Sequence, residues 1–156
     1  MVKVVFVCLG NICRSPMAEG FFKKLVTDEG LATSFEIDSA ATGSWNLGKP
    51  PHRGTQQILK KHGIDYSEMR ARKISKEDFL SADYIIGMDD ANITDIEALR
   101  DPESQAEIRK LMDYVSNPEK PNIPDPYYTG DFLETERLIS AGVKGLLDTI
   151  RAAHKL

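Results

Sequence analysis

The sequence predicts a single α/β domain: a doubly wound, four-stranded parallel sheet with helices on both faces. Three observations predict it. Strand-like runs alternate with segments of helical periodicity along the chain. The runs are nearly continuous in apolar residues, as strands covered on both faces require. No repeat, low-complexity tract or linker divides the 156 residues, a length that can bury one core.

The elements follow in order. Val2 to Val7 is a β-branched and aromatic run that reads as the first strand. Gly10 and Asn11 break it, both tolerant of positive φ. Ser15-Pro16 predicts a helix start, with Ser as the cap and Pro at the first helical position. Met17, Phe21, Phe22, Leu25 and Val26 give that helix a buried stripe, and Gly30 stops it. Phe35 to Ala40 is the second strand. The segment "TGSWNLGKPPHRG" is a loop by its Gly and Pro content, and a helix from Thr55 to His62 ends at Gly63. "ADYIIGMD" is the third strand, "ANITDIEALR" a helix and "IRKLMDYV" the fourth strand. "NPEKPNIPDPYYTGD" is a proline-rich loop. Leu138, Ile139, Val143, Leu146, Leu147 and Ile150 then mark a long closing helix from Thr135 to Ala153.

Composition narrows the functions. With 41% apolar and 28% charged residues the chain is typical of a soluble globular protein. Val4 to Leu9 is too short to span a bilayer, and the start lacks the features of a signal peptide. A net charge of -4 and a pI near 5.4 argue against a broad electropositive face for nucleic acid. Two cysteines make no disulfide scaffold, and a reducing cytoplasm is the expected compartment. No membrane partner, metal or other cofactor is expected.

Both cysteines fall in "VVFVCLGNICRSPMAEGFF", at the turn out of the first strand. In a doubly wound sheet that turn lies at the carboxyl ends of the strands, where ligands bind. Leu9, Gly10, Asn11, Ile12 and Cys13 must curl between Cys8 and the helix, so their N–H groups can converge on an anion. The helix N-terminus adds unpaired donors and positive partial charge. Arg14 supplies a planar fork matched to two phosphate oxygens. The same positive surroundings lower a thiol pKa from about 8.5 into the range ~3.5–7.5, so Cys8 is expected to be a thiolate facing the bound phosphorus. Taken singly, a strand-end Cys is a small hydrophobe, Gly-Asn a turn and an Arg solvated; the combined string points to phosphoryl transfer.

"VCLGNICRSPMAE" resembles the phosphate-binding loop of the low-molecular-weight protein tyrosine phosphatases. "DSAATGSWNLG", the "MD" after the third strand and "IPDPYYTG" follow in that family's order, so the resemblance covers essentially the whole chain. It implies hydrolysis of phosphotyrosine through a phosphocysteine, with Cys8 as nucleophile and Arg14 stabilising the transition state. An Asp-Pro pair alone reads as a turn; the resemblance makes Asp125 the general acid that protonates the leaving phenolate and then activates water. Trp45 sits in a polar, Gly-rich loop that suits exposure, and the resemblance sets it opposite Tyr127, next to Tyr128, as walls for a phenyl ring, with Leu9 in the lining. Asn11 is expected to adopt the left-handed conformation and tie to Ser39, and Ser15 to donate to the Cys8 sulfur.

Cys13 lies close enough for its sulfur to approach that of Cys8, and the family uses such a second cysteine for a reversible, protective disulfide. Simple packing of Cys13 is the competing reading. One departure stands out: where relatives often carry a His-x-Ala-Arg segment buttressing the loop, this chain reads Met69-Arg70-Ala71-Arg72. His52, His62 and His154 fall outside the motifs, as surface or capping residues.

Three rival functions share parts of the pattern. A thioredoxin-coupled arsenate reductase needs further downstream cysteines, and none follows Cys13. A non-catalytic phosphotyrosine-binding module would lack Cys8, Arg14 or Asp125, all of which are present. A phosphocysteine carrier domain of a sugar transporter needs no acid loop. The expected partners are tyrosine-phosphorylated proteins and oxyanions such as phosphate, acted on by a monomer.

Overall fold

β1 (Val2–Cys8) takes an interior place in the sheet because its side chains are apolar towards both layers of helices. The structure, a computed structural model, describes residues 1–156. The strand order is β2-β1-β3-β4, with β2 at Phe35–Ala41, β3 at Tyr84–Gly87 and β4 at Glu107–Lys110. All pairings are parallel; β1 runs Val2 to Cys8 against Phe35 to Ala41, and Val4 to Val7 against Tyr84 to Gly87. The predicted four-stranded parallel sheet is therefore present.

Alternation along β1 divides the core. Val4, Phe6 and Cys8 join one apolar cluster with residues of α1 (Arg14–Asp28), α2 (Arg53–Lys61) and α6 (Phe132–His154). Val5 and Val7 face the other, with residues of α3 (Lys76–Ser81) and α4 (Asp90–Leu99). In the first layer Phe22 makes edge contacts with Phe6 at 5.5 Å and Phe35 at 5.4 Å. Truncating a fully buried Phe of this kind costs about 3–5 kcal/mol. This layer presses α1 against the sheet and so fixes the direction in which the chain leaves β1.

Several boundaries differ from the sequence reading. α1 begins at Arg14, and Cys13 at its N-cap makes no side-chain cap; the hydroxyl of Ser15, expected to cap, points into the site. α2 starts at Arg53, capped by His52, whose Nδ1 accepts from the Gly54 N–H at 3.0 Å. The expected fourth strand stops at Lys110, because the chain winds into a 3-10 turn over Leu111–Tyr114 that buries Leu111 and Met112. Leu111 there packs on α6 at Gly142, too close for a Cβ at that position. Two short helices lie where no helix was expected: α3, begun by a Ser75–Asp78 capping box, and α5 (Pro126–Thr129). Gly30 and Gly63 do end their helices, at φ of 72° and 69°. No helix is long and apolar enough to cross a membrane.

Candidate active site

The chain leaves β1 at Cys8 and enters α1 at Arg14, and the residues between form a cup at the carboxyl edge of the sheet. The cup is held by its carbonyls. Cys8 O accepts from the Thr42 N–H at 3.0 Å, Leu9 O from Gly43 at 3.0 Å, Ile12 O from His52 at 2.7 Å, and Cys13 O from the Thr55 hydroxyl at 3.0 Å. Outside helices and strands, no N–H from Leu9 to Cys13 donates a hydrogen bond. With carbonyls tied outward, the free N–H groups and the uncapped start of α1 form a concave set of donors, suited to an oxyanion.

Asn11 makes the turn possible, at φ 56°. Its amide nitrogen donates to Ser15 Oγ at 2.7 Å and to Ser39 Oγ at 2.9 Å, and Ser39 in turn donates to Glu19 Oε1 at 2.6 Å. The Asn11 oxygen accepts from the Arg72 N–H at 3.1 Å. Ser15 Oγ and Cys8 Sγ are 3.0 Å apart. Because Ser15 already accepts from an amide that can only donate, its single proton is free for the sulfur. The expected Asn11–Ser39 and Ser15–Cys8 contacts are both made. Where a His was absent from the expected buttress, Met69 packs against the main core, and the backbone of Arg72 braces the cup instead. Arg72 is itself clamped on Asp78 by bonds of 2.8 and 2.9 Å and on Asp38 at 2.9 Å.

Arg14 is 2% exposed, buried behind the cup rather than projecting into the open pocket. Its Nη1 donates to Asp89 Oδ2 at 2.6 Å and to Ile123 O at 2.8 Å, and Nη2 reaches Asp125 Oδ2 at 3.5 Å. Nε is buried with no hydrogen-bond partner, an unpaired donor of the guanidinium. Burial opposes the charge, but Cys8, Asp89 and Asp125 outweigh it and hold the guanidinium above its usual pKa. Burial, with the charges of Cys8 and Asp125, pushes the Cys13 thiol up to about 12. Both cysteines are free thiols.

The pocket above the sulfur encloses about 290 Å³. Its floor and sides come from Cys8, Leu9, Gly10, Ile12 and Cys13; Asp125, Trp45, Tyr127 and Tyr128 stand around the mouth. Asp125 caps α5 through Oδ1, which accepts from the Tyr127 N–H at 3.0 Å, so Oδ2 is the oxygen left facing Arg14. Trp45 and Tyr128 are largely exposed and Tyr127 is more than half so. Of the expected residues, Asn11, Arg14, Ser15 and Ser39 lie behind the lining and the others on it. Sequence reasoning missed Asp89 as the anchor of Arg14, Glu19 as the end of the Ser39 chain, and Asn46 on the wall. Only Asp89 had a signal, its place just past β3, where a doubly wound sheet puts ligand-handling residues.

A parallel-sheet domain with a cysteine, a buried arginine and an anion cup at the end of its first strand has the architecture of an α/β phosphatase. Residues 3–156 match the family model described as low molecular weight phosphotyrosine protein phosphatase, and the chain belongs to that family. It is 45% identical over 156 residues to low molecular weight protein-tyrosine-phosphatase YfkJ of Bacillus subtilis, covering 100% of both chains. The crystal structure of YfkJ superposes with a TM-score of 0.94, over 98% of this chain and 96% of that one. The Staphylococcus epidermidis phosphatase PtpA is 41% identical over 150 residues, 96% of this chain and 94% of its own. The Drosophila protein described as an arginine phosphatase is 36% identical, with a TM-score of 0.89 over 96% of this chain and 98% of that one.

Proposed function

We propose that this chain hydrolyses phosphotyrosine in proteins, and small aryl phosphates, through a phosphocysteine intermediate. One observation carries the reading: Cys8 lies at the floor of a pocket that also holds Asp125 and is walled by Trp45 and Tyr127. The phosphoryl oxygens sit among the loop N–H groups and the unpaired donor of Arg14, which places phosphorus over the sulfur. Sulfur attacks phosphorus, the P–O bond to the ring breaks, and the Asp125 proton goes to the departing phenolate. Water then attacks phosphorus, Asp125 takes its proton, and the S–P bond breaks to release phosphate. The Ser15 hydroxyl stabilises the departing sulfur in that second step.

The aromatic walls support a planar leaving group rather than a flexible guanidinium-bearing chain. The acidic net charge argues against nucleic acid as partner, and a reducing, cytoplasmic compartment suits the two free thiols. The test is hydrolysis of p-nitrophenyl phosphate and a phosphotyrosine peptide, with a phosphoarginine peptide as comparison. Cys8→Ser should abolish turnover and Asp125→Ala should lower it by about 10²–10⁴-fold. Full activity in Cys8→Ser, or preference for the phosphoarginine peptide, overturns the reading.

A further inference from the structure

The wall residue Trp45 is 72% exposed, so surrounding side chains do little to hold its ring. The ring rests on the backbone two residues earlier. The indole folds back onto Gly43 so closely that a Cβ built there would lie 1.8 Å from Cζ3, 2.2 Å from Cε3 and 2.8 Å from Cη2. No side chain fits beneath the ring as it stands; the bare Cα of Gly43 is its seat. The seat is tied to the cup, because the Gly43 N–H donates to Leu9 O at 3.0 Å and the Thr42 N–H to Cys8 O at 3.0 Å. The backbone on which the indole rests is therefore tied by hydrogen bonds to the two residues at the start of the cup. The φ of Gly43 lies outside the left-handed region, so an alanine there meets the ring and no backbone strain.

We propose that Gly43 is a specificity-determining residue: by seating Trp45 against the phosphate loop it fixes the width of the slot and selects phosphate esters with a flat aromatic leaving group. This rests on the reading of Trp45 as a wall of the substrate slot. A Cβ at position 43 displaces the indole outward, into solvent that already surrounds it. The fold and the cup remain, and only the ring-to-ring contact with substrate is lost.

The experiment compares wild type, Gly43→Ala and Trp45→Ala on p-nitrophenyl phosphate and on acetyl phosphate, which has no ring. Since aromatic contacts contribute about 0.5–1.5 kcal/mol, Gly43→Ala should raise KM for the aryl ester about 2- to 10-fold with kcat little changed, and should raise KM for acetyl phosphate clearly less. Trp45 is the only tryptophan, so its fluorescence anisotropy reports the ring alone and should fall in Gly43→Ala. Wild-type KM in Gly43→Ala beside a raised KM in Trp45→Ala overturns the proposal, as does an equal loss on both substrates. Unchanged KM in both variants overturns it too, and with it the aromatic-wall reading on which it rests.

Discussion

The Ser15 hydroxyl, 3.0 Å from the Cys8 sulfur, has its proton aimed at that sulfur by Asn11, whose amide nitrogen donates to Ser15 at 2.7 Å. Removing the hydroxyl should therefore act on the step in which sulfur leaves. A hydrogen bond to a charged group contributes ~1.5–3 kcal/mol, so Ser15→Ala should lower kcat about 10- to 100-fold and make phosphocysteine accumulate. A p-nitrophenol burst, absent or smaller in the wild type, is the readout.

Asp89 holds the buried end of Arg14, at 2.6 Å from Nη1. Its loss leaves a guanidinium that is 2% exposed with one anchor fewer. Asp89→Ala should weaken phosphate binding and cost about 3–5 kcal/mol if the charge stays buried. Thermal melts with and without phosphate check both parts: a lower Tm, and a smaller gain on adding the anion.

The two cysteines should differ sharply towards alkylating agents. The two are equally buried at 3% exposure, so protonation decides: with its thiol pushed up to about 12 by burial, Cys13 stays protonated throughout the neutral range. Iodoacetate at pH 7 should label Cys8 alone, and phosphate should protect it, as peptide mass spectrometry would show. Peroxide inactivation should reverse with thiol in the wild type and less completely in Cys13→Ser. Equal recovery in the two proteins would remove any protective role for Cys13.

The brace beneath the cup should be acid-sensitive. Burial raises the Asp78 pKa, but its bonds to Arg72 and the Ser75 backbone prevail, leaving its carboxyl below the usual range. A depressed folded-state pKa adds stability above the unfolded value, ~3.9, and that stability is lost as pH falls through the lowered one. Asp78→Asn should thus reduce Tm at pH 7, with the gap to wild type closing below pH ~4. A constant gap down to pH ~2 would sink the assignment.

His52 stacks on Phe132 at 5.1 Å and meets Tyr127 edge-on at 6.2 Å. It backs Tyr127 on the pocket wall, so His52→Ala should raise KM for aryl phosphates about 2- to 5-fold with kcat nearly intact. Steady-state kinetics on p-nitrophenyl phosphate decide it.

Much of this was legible in the sequence, for physical reasons that vary by element. β1 reads directly because burial on both faces demands a continuous apolar run, and Gly30 and Gly63 read as stops because only an αL position ends those helices so abruptly. The cup reads because Cys8, Asn11, Arg14 and Ser15 work within one local turn. Contacts made at a distance did not read. Arg14 meets Asp89 75 positions away, and no local pattern announces that pairing. The buried place of Arg14 follows from it. Ser15 was misjudged as a cap because capping is the ordinary local role for a serine at a helix start, and the sulfur outcompeted it. α5 is a single turn inside a proline-rich segment, and the end of the expected fourth strand was overruled by docking of Leu111 on α6.

The cup's carbonyls are fastened by Thr42, Gly43, His52 and Thr55, which arrive from the end of β2, the loop after it and the head of α2. An unfinished chain, lacking those latches, has no ring of donors to gather an oxyanion. Chemical competence and completed architecture thus appear together, and a half-made copy carries an ordinary thiol rather than a loose phosphatase.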